Sequence, residues 1–348
     1  MKFSDLKYLF AFTIPISVYI SITSSGIMTF TTPIYVFILI PILELFVKDF
    51  GSNKGYSESE KNNRISNRFF DVLLYLNIPI VLGLLLLSFT NLNSLELLGF
   101  EILGIILSTG ILLATNSINV AHELGHRKSR LDKTISKALY LPCLYMHFFI
   151  EHNYGHHKNI ATPSDPATAK LNQSIYSFWI TSVINQYFNA WRIQLKLLKD
   201  QKRSFFSKKN DMMFYTIFQL LYLLVVLFTF GTSGLIYSVV IAVTSFLFLE
   251  CINYIEHYGL KRTKLPSGRY ERVQPHHSWN SNHFIGRIVL YELTRHSDHH
   301  HKASKKYQVL ENKIDSPQLP FGYPMSILLA LIPFLWFNRI NPIIKENN

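Results

Sequence analysis

The 348-residue chain is 49% hydrophobic and 14% aromatic with only 16% charged residues, which excludes an ordinary soluble domain and makes the bilayer its expected solvent. Its net charge of +12 is spread between hydrophobic blocks instead of being gathered on a basic domain, so lipid headgroups and orientation account for it better than nucleic acid. The two cysteines, Cys143 and Cys251, lie in apolar stretches and exclude both a disulfide framework and a cysteine metal knuckle.

In chain order, apolar blocks run from Tyr8 to about Ser25, Pro33 to Val47, Asp71 to Thr90, Leu95 to about Val120, Met212 to Phe230 and Leu235 to about Tyr254. They are continuous, not alternating, and several reach the roughly 20 residues that a helix needs to cross hydrocarbon, so helices are predicted and not a barrel. The first block lacks a small-residue cleavage site and reads as a retained span. Lys and Arg are missing from Tyr8–Val47, Phe69–His126 and Asp211–Leu260, the stretches that hold the three hairpin tips. Lys2 and Lys7 precede the first pair, Lys48, Lys54, Lys61, Arg64 and Arg68 separate the first two pairs, and Arg127–Lys209 is rich in both. By the positive-inside rule both termini are cytosolic.

Segments 139–150, 175–198 and 324–337 are predicted to lie at the interface. The first contains Pro142 and is short, the second carries Trp179, Phe188 and Trp191 among polar residues, and the third is short and followed by Arg339 and Lys345. The predicted fold is an all-α membrane protein with six transmembrane helices in three hairpins, interfacial helices and a cytosolic histidine-rich cap. It forms a single domain over residues 1–348.

All fourteen histidines fall between His122 and His301. His122-Glu-Leu-Gly-His126 ends the fourth span, and at about 100° per residue its imidazoles leave one helix face a turn apart, so one metal can take both. Glu151-His152-Asn-Tyr-Gly-His156-His157 repeats that pair and adds an adjacent ring pointing toward a second metal. Arg295-His296-Ser-Asp-His299-His300 offers one face with enough spread for two ions, and His257 stands apart in Asn253-Tyr-Ile-Glu-His257-Tyr-Gly259. A lone histidine here is as well explained by the membrane surface. Many buried imidazolium ions would repel one another, whereas neutral imidazoles around cations do not. His147, His276, His277, His283 and His301 fall outside this spacing and are read as supporting or surface residues.

His-Glu-X-X-His alone is also a zinc-protease signature with Glu123 as general base, but about three ligands suffice for hydrolytic zinc and six histidines would be left over. A haem bundle needs single opposed histidines instead. Ligand type alone does not choose the metal. Two ions, nitrogen ligands and an adjoining apolar interior together favour iron and dioxygen acting on a hydrocarbon that enters from lipid.

These boxes resemble those of the bacterial membrane-bound alkane 1-monooxygenases, within the membrane fatty acid desaturase/hydroxylase superfamily. The similarity extends to Leu6-Lys-Tyr-Leu-Phe-Ala-Phe-Thr-Ile-Pro15, Pro41-Ile-Leu-Glu-Leu45 and Arg269-Tyr-Glu-Arg-Val-Gln-Pro-His-His-Ser-Trp-Asn-Ser281, and so to nearly the whole chain. The long second-box spacing and the Tyr-Gly motif set it apart from the desaturases, which remain the alternative reading. The resemblance implies a non-haem di-iron centre that inserts one oxygen atom from dioxygen into a terminal methyl group. It implies nine ligands, His122, His126, His152, His156, His157, His257, His296, His299 and His300, without a bridging carboxylate. Glu123, Glu151, Glu256 and Asp298 become candidates for orienting imidazoles through their other nitrogen.

The resemblance further implies electrons from a separate rubredoxin, with a rubredoxin reductase upstream, and a place in the bacterial inner membrane with the metal site cytosolic. Arg127, Thr294 and His301 depart from residues common in the family, and none of them removes a ligand. Tyr8, Phe10, Phe12, Tyr19, Phe30, Tyr35, Phe37 and Phe46 are candidates for lining the substrate pocket, against the ordinary role of facing lipid.

Overall fold

The computed structural model describes residues 2–47, 55–94 and 96–346. Lys48, Lys54 and Leu95, which separate or begin spans in the sequence reading, lie outside the described residues. In chain order the main helices are α1 (Phe3–Thr23), α2 (Gly26–Phe46), α3 (Glu58–Ser66), α4 (Arg68–Ser94), α5 (Gly99–Gly125) and α6 (Arg130–Tyr140). They are followed by α7 (Ile175–Asp200), α8 (Asp211–His257), α9 (Phe284–Val289), α10 (His296–His301), α11 (Tyr323–Ala330) and α12 (Pro333–Glu346). Extended backbone pairs at isolated bridges, Lys264 with Tyr270 and Asn280 with Gln318.

Five helices, α1, α2, α4, α5 and α8, are long and apolar enough to cross a membrane, and a sixth crossing results if α11 and α12, bent by 118°, count as one. The chain is a multi-pass membrane protein. The first four predicted spans correspond to α1, α2, α4 and α5, and the last two share α8. Gly231 interrupts α8 at φ 69°, ψ −169°, a conformation open to glycine because it has no Cβ. Ser238 Oγ then reaches Tyr222 OH at 3.1 Å, although sixteen helical residues would place them about 24 Å apart. The chain therefore folds back at Gly231.

At the opposite ends of the spans from the histidines, Glu101 accepts the Gly26 N–H at 2.5 Å and the Leu98 N–H at 2.7 Å. One carboxylate thus satisfies the starts of both α2 and α5. In α5, 78% of the most apolar window is buried, against at most 44% in the other spans, so α5 is the axis on which the rest packs. Gly110 allows this: a Cβ there would meet Thr244 Cγ2 of α8 at 2.4 Å. Ser88 with Thr109 (2.9 Å), Ser21 with Thr32 (3.1 Å) and Asn116 with Asn77 (2.8 Å) add polar contacts between helices. The outward faces carry Ile16, Leu45, Leu86 and Phe228, all exposed, as lipid contact requires.

The expectation for residues 139–150 is overturned. Tyr140, Cys143, Tyr145, Phe148 and Ile150 are buried in the main core, around a turn made by Leu144 at φ 50°. Its polar groups find partners on α8: Tyr145 OH donates to Glu250 at 3.0 Å and the Met146 N–H to Gln219 at 3.1 Å. Non-helical backbone satisfied in this way belongs inside protein and not at a lipid boundary. Helix α7 is not apolar enough to cross. The bent pair α11–α12 closes over the end of α8, with the buried Trp336 ring 5.7 Å from Tyr254 and 5.6 Å from Tyr258.

Candidate metal centre

Four segments bring histidines together: the end of α5, the turn Glu151–His156, the end of α8 and α10. All nine expected imidazoles are gathered, in two groups: His122, His126, His152, His157 and His299, and His156, His257, His296 and His300. Neither group contains a carboxylate. The groups adjoin, the His157 ring lying 4.3 Å from that of His300.

The partition differs from the sequence reading at the second box. His152 and His156 were expected to share an ion, with His157 turned to the other. Instead His152 stands with His157, their Nε2 atoms 3.0 Å apart, and His156 faces the second group. The cause is local: Glu151–His156 is a π-helical turn in which the His157 N–H reaches the His152 carbonyl. Residues five apart diverge by about 140° around an α-helix, but the wider π turn returns them to one face.

Within the first group His122 Nε2 meets His299 Nε2 at 3.0 Å and His126 Nε2 meets His157 Nε2 at 3.2 Å. In the second, His296 Nε2 lies 3.1 Å from His257 Nε2 and 2.8 Å from His300 Nε2. Two nitrogens each about 2.1 Å from one ion and at right angles to each other would be about 3.0 Å apart. The spacing therefore fits ligands that share a cation. The buried His156 Nε2 has no hydrogen-bond partner, and a cation in its group would give it one.

Burial, followed by neighbouring imidazoles, holds the pKa of His126, His152, His157, His296 and His300 well below the usual histidine range. Burial, then His156, brings His299 down to about 3. The rings are neutral, and their lone pairs are available. His156 is the exception. Burial works against its charged form, but Asp165 raises its pKa above the ordinary value.

Asp165 is the functional residue that the sequence reading missed. Its Oδ2 lies 2.9 Å from His156 Nδ1 and also accepts from Thr168 Oγ1 at 2.6 Å, while its Oδ1 accepts the Ala167 N–H at 3.2 Å. A carboxylate on the outer nitrogen fixes the tautomer and directs Nε2 inward. The sequence signal was an aspartate between turn residues and Pro166, which by itself indicates a loop.

Three of the four acids expected in that role point elsewhere. Glu123 accepts from Arg127 Nη2 at 3.2 Å and the Tyr307 N–H at 3.3 Å. Glu151 accepts from Asn189 at 3.1 Å, and Asp298 from Lys305 at 2.8 Å and the Glu311 N–H at 2.9 Å. Each is next to a histidine in sequence and so leaves the helix about 100° from it. Glu256 does meet an imidazole, with Oε2 3.1 Å from His296, but at the inward Nε2 and not at the outer nitrogen. Its Oε1 accepts from Tyr323 OH at 2.6 Å. Held by Arg127, Glu123 is not poised as the base of a zinc protease.

The remaining histidines lie apart. His147 packs between Tyr145 and Tyr187, and His301 is exposed. Glu271, His276 and His277 converge separately. There the Gln274 N–H donates to His277 Nδ1 at 2.9 Å, so the neutral ring carries its proton on Nε2, facing Glu271 at 3.3 Å. That nitrogen has no lone pair for an ion.

An apolar space of about 540 Å³, part of it open to the surroundings, has Val36, Phe37, Ile111, Phe248 and Leu290 among its walls. A smaller one touches His122, His152 and His296, and Ala114 and Ile252 line both. Of the eight aromatic residues proposed for the pocket, Phe37 alone lines the larger cavity. Tyr8 is buried on Glu292 at 2.8 Å, and Phe10, Tyr19 and Phe46 are exposed.

The family model for fatty acid desaturases matches residues 97–324. The chain is 37% identical over 302 residues to alkane 1-monooxygenase 1 of Alcanivorax borkumensis, spanning 87% of this chain and 74% of that one. It is 39% identical over 273 residues to the alkane 1-monooxygenase of Ectopseudomonas oleovorans, covering 78% and 68%. With the alkane 1-monooxygenase of Pseudomonas putida the identity is 38% over 308 residues, covering 87% and 74%. Similarity of this extent, carried by a chain whose histidines gather as described, means that the protein belongs to the alkane 1-monooxygenase family within the fatty acid desaturase superfamily.

Proposed function

We propose that this chain is a non-haem di-iron monooxygenase that inserts one oxygen atom of dioxygen into the terminal methyl C–H bond of an alkane. Methyl group, dioxygen, two electrons and two protons give a primary alcohol and water, with the electrons delivered by a separate rubredoxin served by its reductase. The observation that carries this reading is the arrangement of nine imidazoles in two adjoining groups beside an apolar cavity. Iron bound in both groups supplies the oxidising chemistry. The first ion would be held by His122, His126, His152, His157 and His299, and the second by His156, His257, His296 and His300.

The protein's own part is positioning. An apolar chain in the larger cavity would be aligned end-on at a join we place at Ala114 and Ile252, because both residues line each space, and so present a terminal carbon beside His122, His152 and His296. The apolar walls exclude water. Tyr323 O–H donates to Glu256 Oε1 at the edge of that chamber and so fixes the carboxyl group beside His296. We further read the membrane topology as six crossings in three hairpins, in the bacterial inner membrane with the histidines cytosolic. The fold-back at Gly231 and the charge distribution support it.

The direct test is purified protein with rubredoxin, its reductase and octane, dodecane or hexadecane. Two irons per chain and 1-alkanols that vanish when rubredoxin is omitted are expected. One zinc and no stoichiometric iron would return the hydrolytic reading. Ala114→Phe should narrow the join and cut terminal hydroxylation of all three alkanes by about tenfold or more, because overfilling a packed wall blocks the passage at fixed iron content. Unchanged rates in that variant would show that the substrate comes by another route.

A further inference from the structure

Helix α7 buries polar residues together with Ile175, Phe178, Ala190 and Leu198, and leaves large apolar ones outside. Tyr176, Ile180, Ile184, Phe188 and Leu195 are exposed along it, while Ser182, Gln186 and Gln194 are buried. The polar side is used: Ser182 and Gln186 both bond the buried Glu250, at 2.7 and 2.9 Å. Exposed apolar residues at these intervals form one stripe, and a stripe of this length facing outward calls for an apolar medium. The loop beyond α7 continues it with Phe205 and with Phe206, which is 82% exposed. Too polar to cross, α7 is placed by this pattern in the plane of the lipid–water boundary.

Where the stripe ends, a cleft with about 1180 Å³ of open space lies between α6, the last turn of α7 and the start of α8. Arg130, Lys133, Lys208 and Lys209 line it, and no side-chain ion pair holds any of them among the described residues. Its one acid, Asp211, is taken by Lys137 at 2.8 Å. Leu197 and Leu198 line the same cleft, so the basic pocket is continuous with apolar surface.

We propose that this cleft binds an anionic glycerophospholipid. Its phosphodiester sits among Arg130, Lys133, Lys208 and Lys209, and its acyl chains lie along the α7 stripe toward Phe206. An acidic protein partner would match the cations but would leave the adjoining stripe without an apolar contact. Each Lys or Arg near the membrane surface adds to the attraction for anionic lipid, so the loss of three charges is expected to weaken binding by about a hundredfold.

The test is native mass spectrometry of the full chain in detergent, titrated with phosphatidylglycerol or phosphatidylcholine. The readout is bound lipid, which does not depend on iron or turnover. One phosphatidylglycerol should be retained in preference to phosphatidylcholine, and Lys133→Gln/Lys208→Gln/Lys209→Gln should lose that preference. Lys261→Gln/Lys264→Gln/Arg269→Gln, changed on another exposed stretch, should keep it. Equal losses in the two triple variants would mean general charge attraction and overturn the site. So would displacement of the lipid by millimolar inorganic phosphate, or a triple variant that lost binding of an acidic electron carrier while retaining phosphatidylglycerol.

Discussion

On the di-iron reading proposed above, replacing His257 with alanine should leave the protein folded and inserted, yet remove about one of the two irons expected and lower hydroxylation by more than about 100-fold. His257 is one of the four imidazoles of the second group, fully buried, with its Nε2 3.1 Å from that of His296. Loss of a residue that only supports a ligand already costs 10–100-fold in metal affinity or activity, so a missing ligand should cost more. The helix end does not depend on the ring: the Trp279 N–H donates to the Glu256 carbonyl at 2.9 Å and Trp279 Nε1–H to the Tyr258 carbonyl at 3.0 Å. His147→Ala is the control, since that ring packs on tyrosines away from both groups, and it should keep iron and turnover. Normal iron content and rates in the His257 variant would remove it from the ligand set.

Asp165→Asn should weaken retention of one iron by roughly 10–100-fold, measured by competition with a chelator and not by turnover. The amide keeps the size of the carboxylate and can turn its oxygen to His156 Nδ1 and Thr168 Oγ1. Its NH2 then meets the Ala167 N–H, one donor against another, and the negative charge that Asp165 sets beside the imidazole is gone. Asp165→Ala should lose more, because the buried Nδ1 is left without an acceptor. The first group has no contact with Asp165, so its iron should stay. Both irons leaving together, or neither leaving faster than in the unchanged protein, would show that Asp165 supports the loop and not the metal site.

Much of this site was legible in the chain because its signals are local. Spans need only an unbroken apolar run, and α1, α2, α4 and α5 overlap those runs, although α2 starts at Gly26, well before the expected Pro33. The histidine boxes announced themselves by clustering, and the structure gathers all nine of the imidazoles named. Residues 139–150 were misplaced for the opposite reason. An apolar stretch with a proline looks the same whether it faces lipid or core, and its burial follows from Glu250 and Gln219 on a helix about 70 or more residues away. The acids failed similarly: sequence adjacency to a histidine suggested contact, whereas on a helix adjacent residues diverge.

The sequence by itself determined that the chain is helical and membrane-bound, and that imidazoles without sulfur or clustered carboxylates would form its centre. Those properties depend on composition and on runs read along the chain. Tertiary structure alone decided how the imidazoles divide into five and four, because a π-helical turn at Glu151–His156 replaces the α-helical spacing assumed for the second box. It also decided which carboxylate serves a histidine. Asp165 reaches His156 by the closure of a loop held by Thr168 and Ala167, and no periodicity along the chain encodes that closure.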